Sequence, residues 1–169
     1  MPYDMHRIFC ATPFELEDER NACHAAISEF NTEEAMPRGV LFVTVSLVPA
    51  MADKRPYQAA VNDNIKACRY YVQILEENWG PPQRDMERDY ALAAQVAAAP
   101  DSKMREAVLL FKKPLLPHRV AADLVTLKGT SGAAEFTDAA ELKARLLGLL
   151  RKWLESVAPR AESSLGAAQ

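Results

Sequence analysis

The run Val40-Leu41-Phe42-Val43-Thr44-Val45-Ser46-Leu47-Val48, closed by Pro49, constrains the fold more than any other part of the chain. It is apolar almost throughout instead of alternating, which marks a strand covered on both faces, and such strands belong to parallel sheets sandwiched between helices. Ile8 to Ala11, Tyr70 to Leu75 and Ala107 to Phe111 share this character, and Ala134-Glu135-Phe136 reads as a short edge strand. Between them lie amphipathic segments. Thr12-Pro13-Phe14-Glu15 matches a helix start, with Thr12 as N-cap and Pro13 in the first turn. The helix that follows carries Leu16, Cys23, Ile27 and Phe30 on one face and should stop before Met36-Pro37.

Further helices are expected over Tyr57 to Cys68, with Ala60, Ile65 and Ala67 inward, and from Asp85 to about Ala98. His118 to Leu127 favours a short helix ending before Gly129-Thr130-Ser131-Gly132. Asp138-Ala139-Ala140-Glu141 is a capping box ahead of a stripe of Leu142, Leu146, Leu149, Leu150, Trp153 and Leu154. The βαβα order therefore predicts an α/β three-layer sandwich on a parallel five-stranded sheet of order 2-1-3-4-5. One domain spans residues 1–158, and the small polar stretch 159–169 is expected to be a flexible tail.

Charge narrows the function. Twenty basic against 23 acidic residues give a net charge of −3, so no basic excess exists to neutralise the phosphates of a nucleic acid. No apolar run approaches a membrane span and the N-terminus lacks the profile of a secretion signal, so neither a membrane nor a nucleic acid is expected as partner and the default location is cytoplasmic. Cys10, Cys23 and Cys68 read as reduced core thiols, and His6, His24 and His118 are too scattered to form a metal site. Neither GxGxxG nor GxxxxGK[ST] occurs, and no GxSxG elbow is present.

In sheets of this order ligands sit beyond the C-terminal strand ends, where the chain direction of winding switches between the first and third strands. That rule gathers Thr12 and Phe14, Trp79 and Gly80, the segment Asp85 to Tyr90, and Lys112 around one mouth. Glu87 there can act as nucleophile or stabilise an oxocarbenium-like state, or it can simply balance the helix dipole. Thr12 can hold a phosphate or ribose hydroxyl besides capping its helix. Trp79 can stack on a base or pack against the sheet, and Lys112 can attract an anion or solvate a strand end.

The stretches Ile8 to Arg20, Ala67 to Gly80 and Glu87-Arg88-Asp89-Tyr90-Ala91-Leu92-Ala93 resemble the strand-and-helix blocks of bacterial TIR-like domains of unknown function, which are related to TIR domains and nucleoside 2-deoxyribosyltransferases. The resemblance spans roughly residues 6–155 and implies a flavodoxin-like, TIR-like fold. It also implies a nucleotide or nucleoside ligand, NAD included, held as substrate with no resident cofactor and cleaved at its N-glycosidic bond. Glu87 matches the catalytic glutamate of that group, with Asp89 two residues on as its substitute, and Thr12, Phe14, Trp79, Gly80, Tyr90 and Lys112 would line the ligand. Arg69, Glu76-Glu77 and Cys10-Ala11 depart from the pattern. The alternative is a non-catalytic signalling or assembly module acting through self-association or a protein partner.

Overall fold

The structure, a computed structural model, describes residues 2–13, 15–46, 54–80, 85–131 and 133–158. Five parallel strands, β1 (Asp4–Ala11), β2 (Val40–Val45), β3 (Tyr70–Leu75), β4 (Glu106–Lys112) and β5 (Ala134–Phe136), form one sheet in the order β2-β1-β3-β4-β5. Helices α1 (Glu17–Phe30) and α5 (Ala139–Val157) cover one face; α2 (Lys54–Ala67), α3 (Met86–Ala98) and α4 (Ala122–Ser131) cover the other. This is a flavodoxin-like three-layer sandwich. Alternation along β3 shows how one strand feeds both cores: Tyr70, Val72 and Ile74 join the α1/α5 side, while Tyr71 and Leu75 join the opposite side. Every residue of β3 is buried, as expected for the central strand.

On the α1/α5 side, Trp153 stacks on Tyr70 with ring centroids 4.0 Å apart, and its indole N–H donates to Glu106. The cap at α5 forms where expected, with Asp138 accepting from the Glu141 amide at 2.9 Å, but the Glu141 carboxylate accepts at 2.8 Å from the amide of Thr137, one residue before the cap, instead of from that of Asp138. The α1 stripe of Leu16, Cys23, Ile27 and Phe30 is likewise buried.

Several boundaries differ from expectation. The strand β1 begins at Asp4 because Asp4 to Arg7 pair with Val40 to Val43 despite their polarity. Thr12 is not the N-cap of α1. The Leu16 amide bonds instead to the Pro13 carbonyl at 3.0 Å, and the helix starts at Glu17 with Leu16 before it. Beyond Phe30 a π-helical turn (Asn31–Ala35) carries the path to the expected stop before Met36, and a 3₁₀ turn (Met36–Arg38) then leads to Gly39, whose φ of 77° only glycine adopts easily.

The inward residue of α2 is Val61, with Ile65, and Ala60 is exposed. Helix α4 runs through Gly129 to Ser131 instead of stopping before them, because the chain first makes a 3₁₀ turn at Pro117–Arg119 and begins α4 later. Leu47 and Val48 of the expected second strand, Gly132 and the tail 159–169 lie outside the described residues.

Candidate functional site

Strands β1, β3 and β4 end together at Thr12, Glu76 and Lys113, and the loop after β3 folds back against the turn after β1. Asn78 fixes that loop by accepting the Gly80 amide at 2.8 Å, and Gly80 holds φ 98°. A Cβ at Gly80 would lie 3.4 Å from the Pro13 Cβ, so the glycine serves both the left-handed backbone and the close approach. A small cavity of about 120 Å³ opens here, lined by Pro13, Glu15, Leu16, Glu76, Glu77 and Asn78. A neighbouring apolar cavity of about 300 Å³ lies between the end of β4 and α4, over Phe111, Val120 and Leu124, with Glu76 and Lys112 on its wall. A cavity of about 500 Å³ sits away from this mouth, beside the part of β4 that β5 is too short to pair.

Buried polar groups concentrate at this end. Thr12 is 3% exposed, and its hydroxyl is enclosed with no hydrogen-bond partner among the described residues. Gln73, fully buried on β3, accepts from the Tyr71 hydroxyl at 2.8 Å and lies 3.6 Å from the Met86 sulfur at the start of α3. Asp89, 2% exposed on α3, accepts from Gln58 of α2 at 3.1 Å, and the same Gln58 amide donates to Asn62 at 2.9 Å. Asp89 is inward because it falls three residues after Met86 and four before Ala93, both buried. Glu87 lies between, on the exposed side of the same turn, and Asp85 caps the helix by accepting from the Arg88 amide at 3.1 Å.

The electrostatics are acidic. Lys112 donates to Glu19 at 2.6 Å, and Glu19 is itself buried. That hydrogen bond raises the Lys112 pKa above its ordinary value despite partial burial, with the Glu76 and Asp18 charges adding to it. Burial also raises the Glu76 carboxyl, against the opposing pull of Lys112. The wall formed by Glu15, Glu76 and Glu77 favours contact with a neutral or cationic part of a ligand, leaving any phosphates directed away from it.

Of the residues expected at the site, Thr12 and Asp89 are buried and line neither of the two cavities at this end, Gly80 shapes the loop beside Pro13, and Lys112 is committed to Glu19. Trp79 packs 6.0 Å from the half-buried Tyr90 ring and donates to Asp123 at 3.1 Å, and Tyr90 in turn sits 6.3 Å from Tyr71. Phe14 lies outside the described residues. Glu19, Gln58 and Gln73 were not anticipated. Two of them carried a signal: Glu19 falls four residues before Cys23 in the apolar stripe of α1, and Gln73 interrupts an otherwise apolar strand. Among the described residues no group of three His, Cys, Asp or Glu is arranged to hold a metal, and no helix is long and apolar enough to cross a membrane.

The fold and this mouth define an all-parallel α/β sandwich with its polar interior at the topological switch point. Compared with known proteins, the chain matches no family model and no curated protein.

Proposed function

We propose that the chain binds a nucleoside or nucleotide, NAD among them, at the mouth between β1 and β3, and cleaves its N-glycosidic bond. The observation that carries this reading is Asp89, a carboxylate 2% exposed at the start of α3 and bonded to Gln58. Enclosing a carboxylate costs several kcal/mol unless partners compensate it, and such groups concentrate at functional sites. The departing base leaves an oxocarbenium-like ribosyl cation, which an enclosed carboxylate stabilises or traps. The acidic cavity wall of Glu15, Glu76 and Glu77 favours the same cationic charge, and the enclosed Thr12 hydroxyl, without a partner among the described residues, is a donor and acceptor that a ribose hydroxyl would satisfy once the turn after β1 opens to it.

The test is release of free nicotinamide or nucleobase from NAD and a panel of 2′-deoxynucleosides, followed by chromatography. The expected result is release by wild type and Glu87→Gln, with a loss of about 100-fold or more in folded Asp89→Asn. Loss confined to Glu87→Gln moves the carboxylate to the exposed side of the helix turn. No release by folded wild type overturns the catalytic reading.

A second reading, a protein-interaction module, is favoured by one separate observation. Leu115 and Val125 are 87% and 57% exposed, and Leu116 beside them is 39% exposed, forming an apolar patch on the β4–α4 loop and α4. Self-association in sedimentation that Leu115→Asp abolishes would support it; a monomer at all concentrations would argue for the small-molecule reading.

A further inference from the structure

The end of the sheet opposite the mouth has a different chemistry. A cavity of about 430 Å³ opens at the N-terminal ends of β1 and β3, lined in part by Asp4, Arg7, Arg69 and Lys103. The backbone holds these residues together: the Arg69 amide donates to the Arg7 carbonyl at 2.9 Å, and the Arg105 amide donates to the Arg69 carbonyl at 2.8 Å. Lys103 sits on a turn that is fixed from both sides. The single Ser102 hydroxyl proton has the Val96, Ala99 and Met104 carbonyls within reach at 2.5, 3.0 and 3.2 Å, and Met104 is wholly buried in the core under α2 and α3.

Arg7, Arg69 and Lys103 take part in no ion pair among the described residues, whereas Lys112, Lys143, Arg151 and Lys152 are each matched to a carboxylate. The one acid on the cavity wall, Asp4, bonds to His6 at 3.0 Å. The inner guanidinium nitrogen of Arg69 is enclosed and has no acceptor, and a buried donor left unpaired costs about 1–3 kcal/mol. Helix C-termini attract cations, but Lys66 in the last turn of α2 already meets that need.

From this cleft we infer a second binding site, for a small molecule bearing a di- or triphosphate group. The cavity is of small-ligand size and would hold such a group with room beside it. Guanidinium groups recognise phosphate oxygens through paired N–H donors, and three unmatched cations in one concavity focus a positive potential in a chain whose net charge is −3. The site is independent of the carboxylate mouth at the other end of the strands.

The experiment is calorimetric titration of the full chain with inorganic pyrophosphate, ADP and adenosine at fixed ionic strength, repeated with Arg69→Gln, Lys103→Glu and the control Lys143→Gln. The expected result is saturable binding of pyrophosphate that weakens with salt and falls tenfold or more in Lys103→Glu, an exposed position whose change leaves the core untouched. Arg69→Gln, if folded, weakens it similarly, and Lys143→Gln does not. Equal binding of pyrophosphate and ADP assigns recognition to the phosphates alone; tighter ADP with no adenosine binding adds a nucleoside contact, and either supports the site. No saturable pyrophosphate binding by wild type, or binding indifferent to Lys103→Glu, overturns it.

Discussion

Asn31 offers the sharpest test of how the edge of the sheet is held. In a parallel pair the N–H and C=O of one residue point to the same side, and those of Phe42 on the edge strand β2 point away from β1. The Asn31 side chain meets both: its amide donates to the Phe42 carbonyl at 2.7 Å, and its oxygen accepts the Phe42 N–H at 2.9 Å. The π-helical turn that begins at Asn31 is what lets a residue from the end of α1 reach this strand. Asn31→Ala leaves two buried backbone groups unpaired at about 1–3 kcal/mol each, so the variant is expected to lose about 2–6 kcal/mol in urea unfolding. For a domain of this size that is a fall in Tm of about 4–24 °C.

Asn31→Asp sharpens the test. At neutral pH its carboxylate faces the Phe42 carbonyl with no donor, but a protonated carboxyl restores one, so its deficit relative to wild type should shrink as pH falls towards the unfolded carboxyl value of about 4 and level off below it. Exchange of the Phe42 amide should accelerate in Asn31→Ala more than that of amides inside the β1–β3 ladder. A change below about 0.5 kcal/mol in Asn31→Ala, with the Phe42 amide still protected, would refute the reasoning, because solvent would then serve the edge equally well.

Two further expectations concern titration. The Lys112 pKa is raised in the folded state by its bond to Glu19, so the stability it contributes is fully present below its unfolded value and is lost as pH rises through the folded one. Lys112→Met should therefore remove an alkaline slope in the urea midpoint, at a neutral-pH cost between the ~0–1 kcal/mol of exposed pairs and the ~3–5 kcal/mol of buried ones. Glu76 has the opposite sign: its raised carboxyl destabilises the fold above that pKa, so Glu76→Gln should gain stability at pH 7 and lose the advantage in acid, and equal midpoints at both pH values would count against this. All three thiols are buried, with Cys23 pushed up to about 12 and Cys68 to about 11, so iodoacetamide at pH 8 should label native protein slowly and unfolded protein fully by mass spectrometry.

The first four strands were legible because each contains an apolar run separated from the next by an amphipathic helix, whereas β5, with only three residues, was legible only as a short edge. Helix starts were legible where a side chain performs the cap, as Asp85 and Asp138 do, and illegible at α1, where Thr12-Pro13 imitates a cap but the helix begins five residues later. The extension of β1 to Asp4 depends on partners in β2, which local pattern does not reveal. At the mouth, the topology located the residues, but which carboxylate turns inward is set by helical phase. Glu87 and Asp89 are two residues apart, and only the positions of Met86 and Ala93 decide between them. The pairing of Lys112 with Glu19 joins residues from β4 and α1 and required the fold itself.

The placement of the tryptophans makes the molecule its own optical gauge. Trp153 is stacked on Tyr70 within the α1/α5 layer, while Trp79 packs beside Tyr90 on the other side of the sheet. Replacing either one with phenylalanine leaves an emitter confined to a single layer. Intrinsic fluorescence can then follow the loosening of one helical layer while the other still shines with its native spectrum.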